Sequence, residues 1–189
     1  MPRSFLQELQ LPLPPLEEQR RIAAILDKAD ALRQKRRIAL QRLDSLPSAW
    51  FREFFGAGPA HGQQWRVRRL GDLLEFLTSG SRGWAKHYKV SGSKFLRIQN
   101  VRRDRLDLTD LAFVDAPNTQ EAIRTKVRPG DVLLSITADL GRTAVVPDEI
   151  GDAYINQHLS ILRTKAVDPV FLSSYLSSID GQKQIAGRN

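Results

Sequence analysis

The residues in this chain that could do chemistry are cations, amides and aromatics gathered in loops, not nucleophiles or paired carboxylates. Residues 78–88, TSGSRGWAKHY, set Ser79, Arg82, Trp84, Lys86, His87 and Tyr88 among small residues and glycine. Short residues let a backbone approach a groove, Arg and Lys meet phosphates or guanine edges, and aromatics pack on sugar or base. An ordinary surface loop is the competing reading. Further on, Arg97, Gln99, Asn100, Arg102, Arg103 and Arg105 close an apolar strand pattern. An amide side chain can bind adenine bidentately and Arg can bind guanine, each good pair discriminating by about 1–3 kcal/mol. A basic turn holding only phosphates is the alternative there, and it still implies nucleic acid. Thr137 and Arg142 in ITADLGRTA form a similar loop around Gly141, and Asn156 shares a strand face with His158.

Charge points the same way once it is located. The formal net charge is +8, and residues 64–105 carry 11 Lys and Arg against 3 Asp and Glu. Residues 1–63 carry 10 against 7, and residues 106–189 carry 8 against 11, so the surplus of the middle stretch equals that of the whole chain. A solvated basic face would spread its charge. Charge concentrated among Trp65, Trp84, His87 and Tyr88 reads as a nucleic-acid footprint. Catalytic patterns are missing: there is no glycine-rich phosphate loop, the three histidines lack metal-ligand spacing, and Pro147, Asp148 and Glu149 lack the later carboxylate and lysine of a nuclease. No N-P-P-Y methyltransferase signature and no cofactor motif occurs, so no cofactor is expected. With no cysteine, disulfides and thiolate metal sites are excluded. No apolar run reaches membrane-spanning length and no export pattern opens the chain, which implies a cytoplasmic protein without a membrane partner.

The elements that must position these loops begin with a helix. Pro14 and Pro15 force an extended entry, Glu17 and Glu18 suit the positive end of a helix, and the pattern predicts one long helix over residues 16–55. Apolar or small residues recur in heptad register at Ile22, Ile25, Ala29, Leu32, Ala39, Leu43, Leu46 and Trp50, broken at Arg36, with Leu26 widening the stripe. From Glu17 to Leu46 such a helix is a rod of about 45 Å, longer than the remaining chain can cover, so a second helix is the expected partner. Residues 1–15 read as a short extended segment, Pro47 as a kink or an end, and residues 56–64 as the linker between domains. Beyond it, residues 65–77 suggest a strand running into a short helix. KFLRIQNV, DVLLSIT, TAVVP and YINQHLSILR read as strands and PVFLSSYLSS as a helix, giving an α/β (α+β) domain over 65–189.

The run PLPPLEEQRRIA with a heptad helix behind it resembles the conserved helical region of specificity (S, HsdS) subunits of type I restriction-modification systems. The second half resembles their target-recognition domain, carried by Trp65, Val67, Leu70, Gly71 and Asp72, then Ser79 and Gly80, then Gly130, Asp131, Val132, Leu133 and Ser135, and later Ile155, Asn156 and Gln157. The resemblance implies a fold similar to the DNA-recognition domain of adenine-N6 DNA methyltransferases. It also implies double-stranded DNA as ligand, with methyltransferase (M) subunits, and through them restriction (R) subunits, as partners. A full S subunit has two recognition domains and two helices that pair as an antiparallel coiled coil. Here there is one of each. The expectation is therefore a half-subunit that forms a homodimer; residues 4–13 either complete a recognition domain, in cis or in trans, as in a circular permutation, or mark the chain as a fragment. A stand-alone DNA-binding regulator that dimerises through the helix is the alternative reading, and an enzyme with an unrecognised active site is a third.

Overall fold

A computed structural model describes residues 3–55 and 65–187. The chain divides into two compact units, Met1–Leu46 and Pro47–Asn189. The expected linker at 56–64 lies outside the described residues, and the division falls at Pro47 instead.

In the first unit a short helix α1 (Arg3–Gln7) replaces the extended segment expected there, and residues 9–15 carry no regular structure. The long helix α2 (Leu16–Phe55) starts as its sequence requires. The Gln19 side chain donates to Pro14 O at 2.7 Å while its backbone N–H reaches Pro15 O at 3.0 Å. Glu17 and Glu18 lie in the first turn, where the helix dipole favours them. Pro47 neither ends α2 nor separates it into two helices: the helix runs on to Phe55. None of its residues is buried, and the stripe at Ile22, Ile25, Leu26, Ala29, Leu32, Arg36, Ala39, Leu43 and Leu46 is exposed. The long helix is as expected, while its pairing with a second helix is a separate matter.

The second unit is built on two four-stranded sheets. One runs β1 (Leu74–Ser79), β8 (Leu159–Thr164), β5 (Val132–Ser135), β6 (Thr143–Val145), with every neighbour antiparallel. The other runs β2 (Tyr88–Lys89), β4 (Ala112–Val114), β3 (Ser93–Leu96), β7 (Ala153–Ile155), with β3 and β7 parallel. Strand side chains alternate between faces, and that alternation sorts the core. Leu133 and Ile161 of the first sheet join Leu96 and Ile155 of the second in one cluster. Their neighbours Val132 and Leu162 turn to the opposite face, where Leu172 and Leu176 of helix α5 (Pro169–Ser177) cover them. Phe95, next to Leu96, faces a third cluster with Trp84, Val114 and Ala122 of helix α4 (Gln120–Thr125).

Helix α5 has Asp168 as its cap, accepting from Phe171 N at 2.9 Å, and Pro169 at its first position. It is followed by α6 (Ile179–Ala186) through Ser178, with Gly181 so close to α5 that a Cβ would lie 2.2 Å from Tyr175 O. Three local expectations fail. Asn156 and His158, expected on one strand face, lie at the turn between β7 and β8. Over residues 65–77 the order is reversed, a single turn α3 (Leu70–Leu73) leading into β1. The strand expected through 94–101 stops at Leu96, and Ile98–Asn100 form a 3-10 turn.

Candidate nucleic-acid interface

Strand pairing brings the singled-out loops together. Ser79 at the end of β1 pairs with Ser160, and Ser135 at the end of β5 pairs with Leu159, so the loops after β1 and β5 leave the sheet beside the turn before β8. Gly80 N donates to Leu159 O at 2.8 Å, Ser81 bridges to Asn156, and Ile136 N donates to His158 O at 2.9 Å. The Thr137 hydroxyl and His158 Nδ1 share a hydrogen bond. Contact this close excludes a side chain at Gly80, where a Cβ would stand 1.9 Å from Asn156 O. The loop after β3 joins through Asn156 N, which donates to Leu96 O at 3.1 Å, and through Arg142 Nη1, which reaches Val101 O at 3.4 Å. Loops 79–88, 97–107, 136–142 and 156–158 are thus one connected surface at one edge of the sheet.

Within that surface the side chains divide by burial. Ser79, Arg82, Lys86, Tyr88, Gln99, Arg102, Arg103, Arg105 and Thr137 are exposed, and His87, Arg97 and Arg142 are half-buried. Three expected contacts are buried and hold loops instead. Trp84 is 6% exposed, packs on Phe95 and Tyr154 with ring centres 5.0 and 5.3 Å away, and donates from Nε1 to Ser81 Oγ at 3.0 Å. Asn100 is 1% exposed: its Oδ1 accepts from Arg97 N at 2.9 Å and its Nδ2 donates to Asp107 O at 3.0 Å and Asp110 O at 2.8 Å. Bidentate adenine recognition needs both of those amide atoms free, so Asn100 is a bracket for the 97–110 loop and not a base reader. Asn156 is buried as well, with Oδ1 accepting from His158 N at 3.2 Å.

The basic surplus is likewise partly committed to the fold. Lys94 donates to Ile150 O at 2.6 Å, Arg97 lies 3.6 Å from Asp110, and Arg102 lies 3.4 Å from Asp107. The Asp107 carboxyl is held below the usual carboxylate range by the Thr109 hydroxyl and backbone N–H, and then by Arg102. Arg142 pairs with Asp139. Gln99 donates weakly to Asp110 at 3.5 Å and stays exposed. Arg97 Nε is buried without a hydrogen-bond partner among the described residues, a donor the fold does not use. Arg82, Lys86 and Arg103 make no ion pair among the described residues and remain free to meet phosphate or base.

Sequence reading missed Arg124, whose Nη1 donates to Thr78 Oγ1 at 2.8 Å and Ser79 O at 2.6 Å, fixing the exit of β1. No local pattern signals this role, because Thr78 and Ser79 lie more than forty residues away, the one nearby partner being Glu121 at 3.3 Å. Among the described residues no group of three or more His, Cys, Asp or Glu could hold a metal ion, and no helix is long and apolar enough to cross a membrane.

Comparison with known proteins meets this geometry at both units. The family described as the type I restriction modification DNA specificity domain matches residues 3–42, over α1 and most of α2. The MjaVIII specificity subunit of Methanocaldococcus jannaschii is 20% identical over 97% of this chain, and the EcoBI specificity subunit of Escherichia coli 25% identical over 92%. The HsdS subunit of Thermoanaerobacter tengcongensis superposes with a TM-score of 0.52 at 27% identity, covering 91% of this chain and 43% of its own. The chain is similar to type I restriction-modification specificity subunits. A chain from a structure describing assembly and conformational transition of the type I system agrees, with a TM-score of 0.56 at 27% identity over 91% of this chain and 43% of its own. This chain spans less than half the length of these relatives, 47% of the M. jannaschii subunit and 42% of the E. coli subunit.

Proposed function

We propose that the chain is the DNA-recognising component of a type I restriction-modification system, a half-subunit that directs adenine-N6 methylation by M subunits and restriction through R subunits. What supports the reading is the connected loop surface at one sheet edge, presenting exposed Arg82, Lys86, Gln99 and Arg103 on a scaffold related to specificity subunits. Two copies pair antiparallel through the α2 stripe, standing in for the two helices of a full subunit. Two-fold symmetry then requires inverted half-sites separated by unread bases. The rod of about 45 Å from Glu17 to Leu46 corresponds to about 13 base pairs at about 3.4 Å each, with a spacer of roughly 6 to 9 base pairs.

Sequencing of methylated sites, in cells carrying the chain with an adenine methyltransferase, tests this directly. The expected target is a split palindrome with one modified adenine in each half. One heptad added between Leu32 and Leu43 keeps the stripe in phase and lengthens the rod by about 10 Å, so the spacer grows by about 3 base pairs while the half-sites stay the same. A fixed spacer would show that the helix does not set the distance. A tight sequence-specific complex formed by the chain alone, with methylation unchanged, would identify a stand-alone regulator instead.

A further inference from the structure

At the tip of the arginine-bearing hairpin sits a residue of opposite charge. Arg102 N donates to Arg105 O at 2.8 Å, closing a turn in which Asp104 takes a left-handed conformation, φ 54°. Left-handed backbone suits Asp and Asn better than other non-glycine residues. An uncompensated carboxylate on a surface meant for phosphate would weaken binding. Asp104 is compensated from another element. Ser173 and Ser177, one turn apart on the same face of α5, each donate a hydroxyl to its Oδ1 at 2.9 Å. The Thr143 hydroxyl joins the same cluster, 2.7 Å from Ser177 Oγ and 3.3 Å from Asp104 Oδ1, and Thr143 itself is 0% exposed. Gln182 of α6 adds a bond to Gly141 O at 2.7 Å, so the neighbouring turn is tied to the same helical pair.

This latch spans residues far apart in sequence and touches no base-reading group itself. The hairpin is braced elsewhere by Asn100, by Asp107 and Thr109, by the Val101–Leu106 bridge and by Arg142 Nη1 on Val101 O, all of them away from its tip. Fixing the tip therefore fixes where the adjacent Arg103, exposed and without an ion pair among the described residues, points. We infer that Asp104, held by Ser173 and Ser177, is a positioning residue that pre-orders Arg103 for contact with DNA. The inference rests on the DNA-recognition reading above. Pre-ordering removes the conformational cost of fixing a long side chain at the moment of binding.

The test is a mutant cycle on the full chain, read by fluorescence anisotropy with a labelled mixed-sequence 30-base-pair duplex over a salt series. Arg103→Ala should lower affinity about tenfold and reduce the salt slope by about one. Asp104→Ala should lose nearly as much although it removes a negative charge, and the double variant should be no weaker than Arg103→Ala alone. Asp104→Asn keeps an acceptor for both serines and the left-handed backbone, so it should bind as well as the parent or better. Ser177→Ala, a milder opening of the latch that does not depend on Asp104→Ala folding, should show a smaller loss that also vanishes in the Arg103→Ala background. Additive losses in the cycle, or tighter binding by Asp104→Ala as expected from charge alone, overturn the positioning role while leaving DNA recognition standing. An Arg103→Ala variant with unchanged affinity and slope overturns it differently, by removing the hairpin from the DNA surface altogether.

Discussion

The helix α2 and the two-sheet unit follow opposite strategies for the same apolar material. Along α2 no residue is buried, and Leu32 is 66% exposed. In the sheet unit Leu96, Leu133, Ala144, Ile155, Leu159 and Ile161 are sealed to 0% exposure between two sheets. An isolated helix draws little stability from propensity and most from packing its apolar face. The sheet unit supplies its own packing surface, whereas α2 needs one from outside its own residues. Under the proposed function, recognition and assembly fall to parts of the chain that should respond to different mutations.

The largest separation between them should come from Arg163→Ala. Arg163 makes two 2.7 Å bonds to Asp131, which is 1% exposed, and its guanidinium lies 5.0 Å from the Phe76 ring centre. Its loss leaves a buried carboxylate with the Arg128 backbone N–H, a defect costing about 3–5 kcal/mol. Urea unfolding of the sheet unit, followed by tryptophan fluorescence, should shift by that amount while association through α2 is retained. A shift below about 1 kcal/mol would mean that this ion pair is not part of what makes the unit self-sufficient.

Next in size is Leu32→Asp. The residue is exposed, so the cost within one chain is only a propensity difference of about 0.5 kcal/mol. Two carboxylates placed at a helix–helix seam should nevertheless abolish the dimer at micromolar concentration, as read by light scattering, with urea unfolding of the sheet unit unchanged. A dimer that persists would remove α2 as its interface. A shifted sheet transition would remove the independence of the two units.

These contrasts also explain what the sequence made legible. The helix was readable because a heptad series runs from Ile22 to Trp50 behind the Pro14–Pro15 pair that sets its start, while its passage through Pro47, read as a kink or an end, was not. Strands β5 and β8 were readable as short apolar runs between turn residues. The order over 65–77 was not, because a few leucines carry no period that distinguishes a turn of helix from a strand. Among the site residues, type and location were legible but roles were not. Asn100 and Trp84 have the chemistry of base readers, and only their long-range partners, Asp110 O and Phe95, show them to be brackets. Arg124 and Asp104 had no local signal at all, since each is defined by hydroxyls or carbonyls dozens of residues away.

The smallest expected effect sharpens the assembly half of the comparison. Arg36 interrupts the heptad series at its midpoint, seven positions from Ala29 and from Leu43, and lies at the centre of Leu16–Phe55. In a two-fold antiparallel pair the residue at the centre approaches its own symmetry mate, and in a parallel pair it does so wherever it sits, so proximity alone does not separate the two. Flanking apolar layers do: antiparallel pairing about Arg36 sets Ile22 against Trp50 and Ala29 against Leu43, small or branched against large, whereas parallel pairing stacks Trp50 on Trp50. Two guanidiniums roughly 6 Å apart repel by about 1 kcal/mol at an effective dielectric between protein surface and water. Arg36→Leu should therefore tighten the dimer about fivefold, and the tightening of the parent dimer by added salt should disappear. Sedimentation equilibrium at low and high ionic strength measures both. A Trp50→Ala partner variant then reads the orientation: it should weaken the antiparallel dimer through the end layers facing Ile22, and its tryptophan should show no self-quenching in the parent. Unchanged affinity in Arg36→Leu would mean that the helices pair out of register with this centre, and self-quenched Trp50 would mean that they pair in parallel.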